Sequence, residues 1–178
     1  QCGNYKKEGD CFNREHIFPK SWFGGMGHGS GAGTDLFELF PADGYVNNLR
    51  GNYPLGPVPD PRYVSTSGAK LGACGTPSSS YSGDCFEIPD AFKGDVARAY
   101  LYLSTAYYGK WTCCETPQTD KADMKPWELQ IMLDWHAGDP VDDSERAINE
   151  EIFTDLQKNR NPYIDHPEWA RRVFAASA

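Results

Sequence analysis

The chain has 178 residues, a formal net charge of −8 and a pI near 4.9. No apolar run approaches the ~20 residues that a membrane span needs. The acidic balance argues against a protein that holds nucleic acid by bulk charge, though it leaves room for a local basic cleft with weak, salt-sensitive binding.

Hydrophobic residues make up 39% and aromatic residues 13% of the chain, enough large side chains for a folded core. The length predicts one domain spanning residues 1–178. Residue 1 is Gln, not Met, so upstream sequence is expected to have been removed. Cysteines stand at 2, 11, 74, 85, 113 and 114. Their even number in Gly-, Ser- and Pro-rich surroundings predicts disulfides and an oxidising compartment. Without a Cys-x-x-Cys pair, structural zinc is poorly supported. Short loops suggest Cys2–Cys11 and Cys74–Cys85. The adjacent Cys113 and Cys114 then either bond each other or find other partners.

Residues 1–10 read as a polar, stapled loop, and 11–18 as an extended segment ending at Pro19. The glycine-rich run 24–33 forbids a stable regular element. Leu36 to Phe40 predicts a strand stopped by Pro41, and Ala42 to Arg50 a helix bounded by Gly51 and Pro54. Residues 54–88 lack periodicity and read as irregular, with room for a hairpin. Helices dominate afterwards. Phe92, Val96, Ala99/Tyr100, Leu103 and Tyr107 recur at helical spacing. Trp127, Ile131 and Trp135 form a second stripe after Pro126, following a polar loop at 112–123. Asp142 or Asp143 caps a third helix, with Ile148, Ile152 and Leu156 as its buried face. Pro167 opens a last short helix, Glu168 to Phe174. The expected fold class is α+β: a mostly helical domain (89–178), a small finger (11–53) and long irregular loops between them.

The chemistry concentrates in the finger. His16 is a natural general base for water near neutral pH. Glu15 precedes it; on a strand the two face opposite ways unless the strand ends there. Glu15 would then offer a hard oxygen to a metal and Asn47 its amide oxygen, a sparse set suited to Mg²⁺ with retained waters. Arg50, three residues after Asn47 on the same helix, could clamp a phosphate. Taken singly, each of these residues is an ordinary solvated pair, cap or surface residue. Only the joint arrangement is specific.

Arg14-Glu15-His16-x-x-Pro19, followed by Asp35-Leu36-x-x-Leu39-x-Pro41-x-x-Gly44-x-x-Asn47-x-x-Arg50-x-Asn52, resembles the bacterial endonuclease I family. These are secreted or periplasmic non-specific nucleases of the ββα-metal class. Segments at 67–72, 92–98 and 159–168 carry the resemblance along most of the chain. It implies that His16 activates water, and that Glu15 and Asn47 hold Mg²⁺, with Mn²⁺ or Ca²⁺ able to occupy the same place. It implies non-specific cleavage of DNA, and often of RNA, to 5′-phosphate ends. Arg14, Lys20 and Asn52 are the expected substrate contacts. The expected location is extracellular, with the periplasm as alternative, and the expected state a monomer without a membrane partner.

Three departures from the family pattern stand out. Glu38 replaces an Asn or His, and its carboxylate either adjusts the metal site or faces solvent. Residues 24–34 contain no Arg or Lys to contact the scissile phosphate, so Arg50 is put in that role. The N-terminal helical segment usual before Cys11 is missing, as for a processed or partial chain. Among other residues, Lys20, Arg62, Lys70 and Arg98 are candidates for a cleft patch and His28 for a loop contact. His136 is expected as a cation at a helix end. Asn159-Arg160-Asn161 read as a turn that satisfies its own hydrogen bonds. The rival readings are a nuclease effector silenced by an immunity partner, and a catalytically dead extracellular DNA-binding protein.

Overall fold

The computed structural model describes residues 3–24, 31–76, 81–111 and 113–174. Strand β1 (Phe12–His16) pairs antiparallel with β2 (Leu39–Asp43), in a register running from Phe12↔Asp43 to His16↔Leu39. The predicted strand therefore starts later than expected. Leu36–Glu38 form a 3-10 turn, and Pro41 lies inside β2 opposite Arg14. Proline is tolerated because β2 is an edge strand of a two-stranded ribbon and can turn its missing N–H outward. Asp43 then stops the strand by capping helix α1 (Gly44–Arg50), its Oδ1 accepting from the N–H groups of Tyr45 (2.9 Å) and Val46 (3.0 Å). Gly51, at φ +55°, closes the helix. The finger is thus a β-β-α unit.

Residues 54–88 are more regular than expected. Strands β3 (Pro61–Val64), β4 (Lys70–Ala73) and β5 (Asp84–Glu87) form an antiparallel sheet in that order. The Cys74–Cys85 disulfide closes one end of it. The pattern failed here because the strands are only four residues long and Gly72 sits at the centre. A Cβ at Gly72 would come within 2.8 Å of the Asp60 carbonyl. Cys113 and Cys114 are paired with each other. Cys11 is disulfide-bonded, and its expected partner Cys2 lies outside the described residues. Within the expected 112–123 loop, β6 (Thr119–Asp120) and β7 (Asp123–Met124) form a minimal hairpin.

Helix α2 (Lys93–Ala106) is the central post. Every residue from Val96 to Ser104 is buried, so the helix is enclosed all round and not on one stripe. Phe92 precedes it in a 3-10 turn and is 52% exposed, outside the expected stripe. Against α2 pack α3 (Pro126–Gly138) and the short α5 (Pro162–Asp165). Gly94 is required by that packing, because a Cβ there would sit 2.0 Å from the Asp139 carbonyl. Helix α6 (Trp169–Phe174) packs on α3 and α5.

Helix α4 (Asp143–Glu151), continued by a π turn at Ile152–Leu156, corrects the predicted face. Ile148 is 53% and Leu156 57% exposed; Glu145, Asn149 and Ile152 are buried instead. The cause is Arg98 on α2, which is fully buried and not a cleft cation as expected. Its Nε donates to Glu145 Oε1 (2.7 Å), and its Nη2 pairs with Glu145 Oε2. Asn149 accepts from Asn161 N–H (2.9 Å). Exposing two aliphatic side chains sacrifices about 1.5–3 kcal/mol each, whereas an unpaired buried guanidinium is costlier. The helix therefore turns its polar face inward.

Removing Glu145 takes its nearest counter-charge from the buried Arg98, leaving it Asp95 and the Asp139 carbonyl. Glu145→Ala is expected to lower stability by about 3–5 kcal/mol in urea denaturation. A loss within the roughly 0.5 kcal/mol typical of surface substitutions would show that the pair is not structural.

Candidate active site

Ile17 and Phe18, just past β1, are buried. Phe18 lies in an aromatic box, edge-on to Trp111 (ring centroids 4.5 Å apart) and near Trp22 (5.5 Å), Phe23 (5.2 Å) and Tyr100 (5.9 Å). Behind this anchor Ile17 N–H donates to the Glu38 carbonyl (3.1 Å), and Tyr100 Oη–H to the Ile17 carbonyl (2.9 Å). The strand end is therefore fixed. His16, the last residue of β1, lines the same cleft as Glu15.

Arg14, Glu15, His16, Lys20, Asn47, Arg50 and Asn52 all line one open cleft of about 460 Å³. Their contributions differ. Arg50 is 3% exposed. Its Nη1 pairs with Glu15 Oε1 and donates to the His16 carbonyl (2.9 Å), while its Nη2 donates to the Ile17 carbonyl (2.5 Å). The guanidinium is thus spent on Glu15 and the strand end. Glu15 is half-shielded. Burial pushes its carboxyl above the usual range, opposed by Arg50 and by a hydrogen bond from Asn47. Asn47 also donates Nδ2–H to the Arg14 carbonyl (3.3 Å). Glu15 and Asn47, one on the strand and one on the helix, therefore meet.

His16 Nε2 lies 3.1 Å from the Gly33 carbonyl. A carbonyl only accepts, so Nε2 carries the proton and Nδ1 keeps its lone pair. Burial pushes the imidazole below its ordinary pKa, assisted by the positive charges of Lys20, Arg14 and Arg50. The ring is neutral at neutral pH. Arg14 and Lys20 are exposed at the cleft, and among the described residues neither is ion-paired. In an acidic chain this is a local positive rim. By contrast Arg62 pairs with Asp84 and Lys70 with Glu87, so those two candidates are engaged elsewhere.

Several expectations shift. Glu38 neither faces solvent nor lines the cleft. It is fully buried, its Oε1 accepts from Phe18 N–H (2.9 Å), and burial holds it well above the usual carboxylate range. His136 stands in the last turn of α3, as expected. Burial lowers its pKa, and Nε2 donates to the Pro167 carbonyl (3.0 Å). His28 lies outside the described residues. Two contributors were missed from sequence: the Gly33 carbonyl, which has no side chain to signal it, and Ser21 in the cleft wall.

Behind the cleft stands a second buried acid, Glu128 on α3. Burial pushes its carboxyl up to about 8, opposed by a hydrogen bond from the Gln118 side chain and by the Arg50 charge.

The Endonuclease I family model matches residues 1–168. The chain is 40% identical over 167 residues to an extracellular ribonuclease of Bacillus subtilis (strain 168), covering 92% of this chain and 54% of the relative. It is 38% identical over 167 residues to an extracellular ribonuclease of Bacillus amyloliquefaciens, with the same coverage. It is 26% identical over 131 residues to Endonuclease-1 of Buchnera aphidicola, covering 74% of this chain and 46% of that one. The chain thus spans about half the length of the curated relatives it matches.

Glu128 generates a pH dependence. Its folded pKa, about 8, stands above the ordinary 4.5. The folded state therefore holds an extra proton between these values. The resulting stability is fully present below the lower value and is lost as pH rises through the upper one. Glu128→Gln removes that dependence. Its urea-unfolding free energy should gain on wild type by a few kcal/mol between pH 5 and pH 8. Parallel curves for the two proteins would refute the buried-acid assignment.

Proposed function

The chain belongs to the endonuclease I family, and from that premise we propose that it is a divalent-metal-dependent endonuclease. It hydrolyses phosphodiester bonds of DNA and RNA without sequence preference and leaves 5′-phosphate ends. The observation that carries this reading is the convergence of His16, Glu15 and Asn47 on one cleft, with the imidazole held in the Nε2–H form by Gly33.

His16 Nδ1 takes a proton from a water molecule, and the resulting hydroxide attacks phosphorus in line, expelling the 3′ oxygen. The neutral state of His16 suits this role, since a protonated ring has no lone pair to give. Glu15 and Asn47 would hold the metal. Their donor set, one carboxylate and one amide in contact at an open cleft, fits a hard cation that keeps most of its waters. When bound, Mg²⁺ neutralises charge on the phosphate and on the leaving oxygen. Arg14, Lys20 and Asn52 at the exposed rim contact the substrate backbone, which favours binding by charge and shape over base identity. Arg50 acts behind them: it fixes the direction of Glu15 and is not itself a phosphate clamp.

RNA is included because the two Bacillus relatives are ribonucleases by name. We read residues 1–178 as one nuclease domain working outside the cytoplasm as a monomer. The Cys74–Cys85 disulfide and the extracellular relatives support that location. No helix among the described residues is long and apolar enough to cross a membrane.

With Mg²⁺ the protein should nick supercoiled plasmid and cut an RNA oligonucleotide, and EDTA should stop both. His16→Ala is expected to lose about 10²–10⁴ in rate while still retaining DNA in a gel-shift assay. Intact plasmid and intact RNA in the presence of Mg²⁺ would leave only the non-catalytic binding role. A His16→Ala enzyme at the wild-type rate would remove His16 as the base.

A further inference from the structure

Asp35 has no part in the chemistry above, yet it is the most heavily bonded side chain near the cleft. It is 4% exposed. Oδ2 accepts from Tyr102 Oη–H (2.8 Å) and Tyr107 Oη–H (2.9 Å). Oδ1 accepts from Phe37 N–H (3.0 Å) and from Gln157 Nε2–H (2.9 Å). The tyrosines belong to α2 and its C-terminal cap, and Gln157 follows the π turn far along the chain. Gln157 also accepts from Leu36 N–H (2.8 Å), so it grips the same segment twice.

Gly33, two residues before Asp35, presents the carbonyl that meets His16 Nε2. It belongs to the 3-10 turn Ala32–Thr34, which Asp35 closes by donating its own N–H to Ala32 (3.2 Å). That turn lies at a surface hollow of about 440 Å³, walled by Thr34, Asp35, Tyr102, Tyr107 and Gln157. The polar bonds of Asp35 act on that side together with the burial of Ala32 in the core to fix where the Gly33 carbonyl stands.

We propose that Asp35 is a positioning residue for His16, anchoring to α2 and Gln157 the turn whose Gly33 carbonyl sets the imidazole's tautomer and direction. The proposal rests on the reading of His16 as the base. Asp35 does not touch the reacting atoms. It acts by holding a carbonyl where only an Nε2–H imidazole can meet it, which keeps Nδ1 as the acceptor. Only a carboxylate can accept from all four donors. An Asn keeps one accepting oxygen and turns an NH₂ toward two of them.

The test pairs kinetics with a direct view of the ring. In protein labelled with ¹⁵N-histidine, the His16 nitrogen shifts should report the Nε2–H form in wild type. Asp35→Asn should convert this to a mixture of tautomers, with kcat falling about tenfold or more. KM and the Mg²⁺ half-saturation should stay within about twofold. Tyr107→Phe, which removes one bond at the rim of the hollow, should show the same changes at about threefold in kcat. It carries the test if Asp35→Asn does not fold. A pure wild-type tautomer in a folded variant that has lost kcat would overturn the proposal. So would a Mg²⁺ half-saturation that moves as far as kcat, the mark of general loosening. The ring signal does not depend on turnover. A tautomer shift in Asp35→Asn together with a fully active His16→Ala would therefore sustain the positioning and sink the base assignment instead.

Discussion

The site depends on one buried guanidinium. Arg50 ends the finger helix and pairs with Glu15 on the strand while donating to the carbonyls of His16 and Ile17. It ties α1 to the last residues of β1, where His16 and Glu15 line one cleft. Without it the His16 carbonyl would lose this donor, and the Ile17 carbonyl would keep only Tyr100. Planarity and several fixed donors suit Arg to this task better than Lys.

A similar rule governs the helical half. Arg98 lies at the heart of α2 with Glu145, Asp139 and Asp95 around it. Burial carries the Asp95 carboxyl up to about 7, with the neighbouring Glu145 charge adding to the rise. The orientation of α4 follows from satisfying this cation rather than from its own aliphatic residues. In both halves a buried polar group set the geometry, and apolar packing adjusted to it. This is consistent with the large penalty for leaving such groups unpaired.

Charge distribution reconciles an acidic chain with the nucleic-acid substrate proposed for it. The formal charge is −8, but many basic residues outside the cleft are engaged: Arg62, Lys70, Lys93, Arg98, Lys125 and Arg160 all pair with carboxylates. Arg14 and Lys20 are left at the rim. For the proposed nuclease, a small unpaired patch on an acidic body attracts a phosphate backbone locally, while the net charge favours release after cleavage over storage.

Much of this was legible along the chain. Asp43 as a cap, Gly51 as a stop, the β-β-α order and the helices after residue 89 follow from local chemistry, which acts over a few residues. So does the set Glu15, His16 and Asn47, because its spacing along the finger is fixed. Less legible were short strands with a central glycine, a proline inside an edge strand, and the buried face of α4, where the polar demand of Arg98 overrode the aliphatic pattern. The fate of Arg50 and Glu38, the carbonyl that orients His16, and the hub at Asp35 could not be read at all. Each depends on partners distant in sequence, such as Glu15 for Arg50, Phe18 for Glu38 and Gln157 for Asp35. By itself the sequence determined which groups with the right chemistry were present, and in what order. Only the tertiary structure decided which of them face the cleft and which are consumed in holding it, because burial and hydrogen-bond satisfaction are settled between segments that meet only in the folded chain.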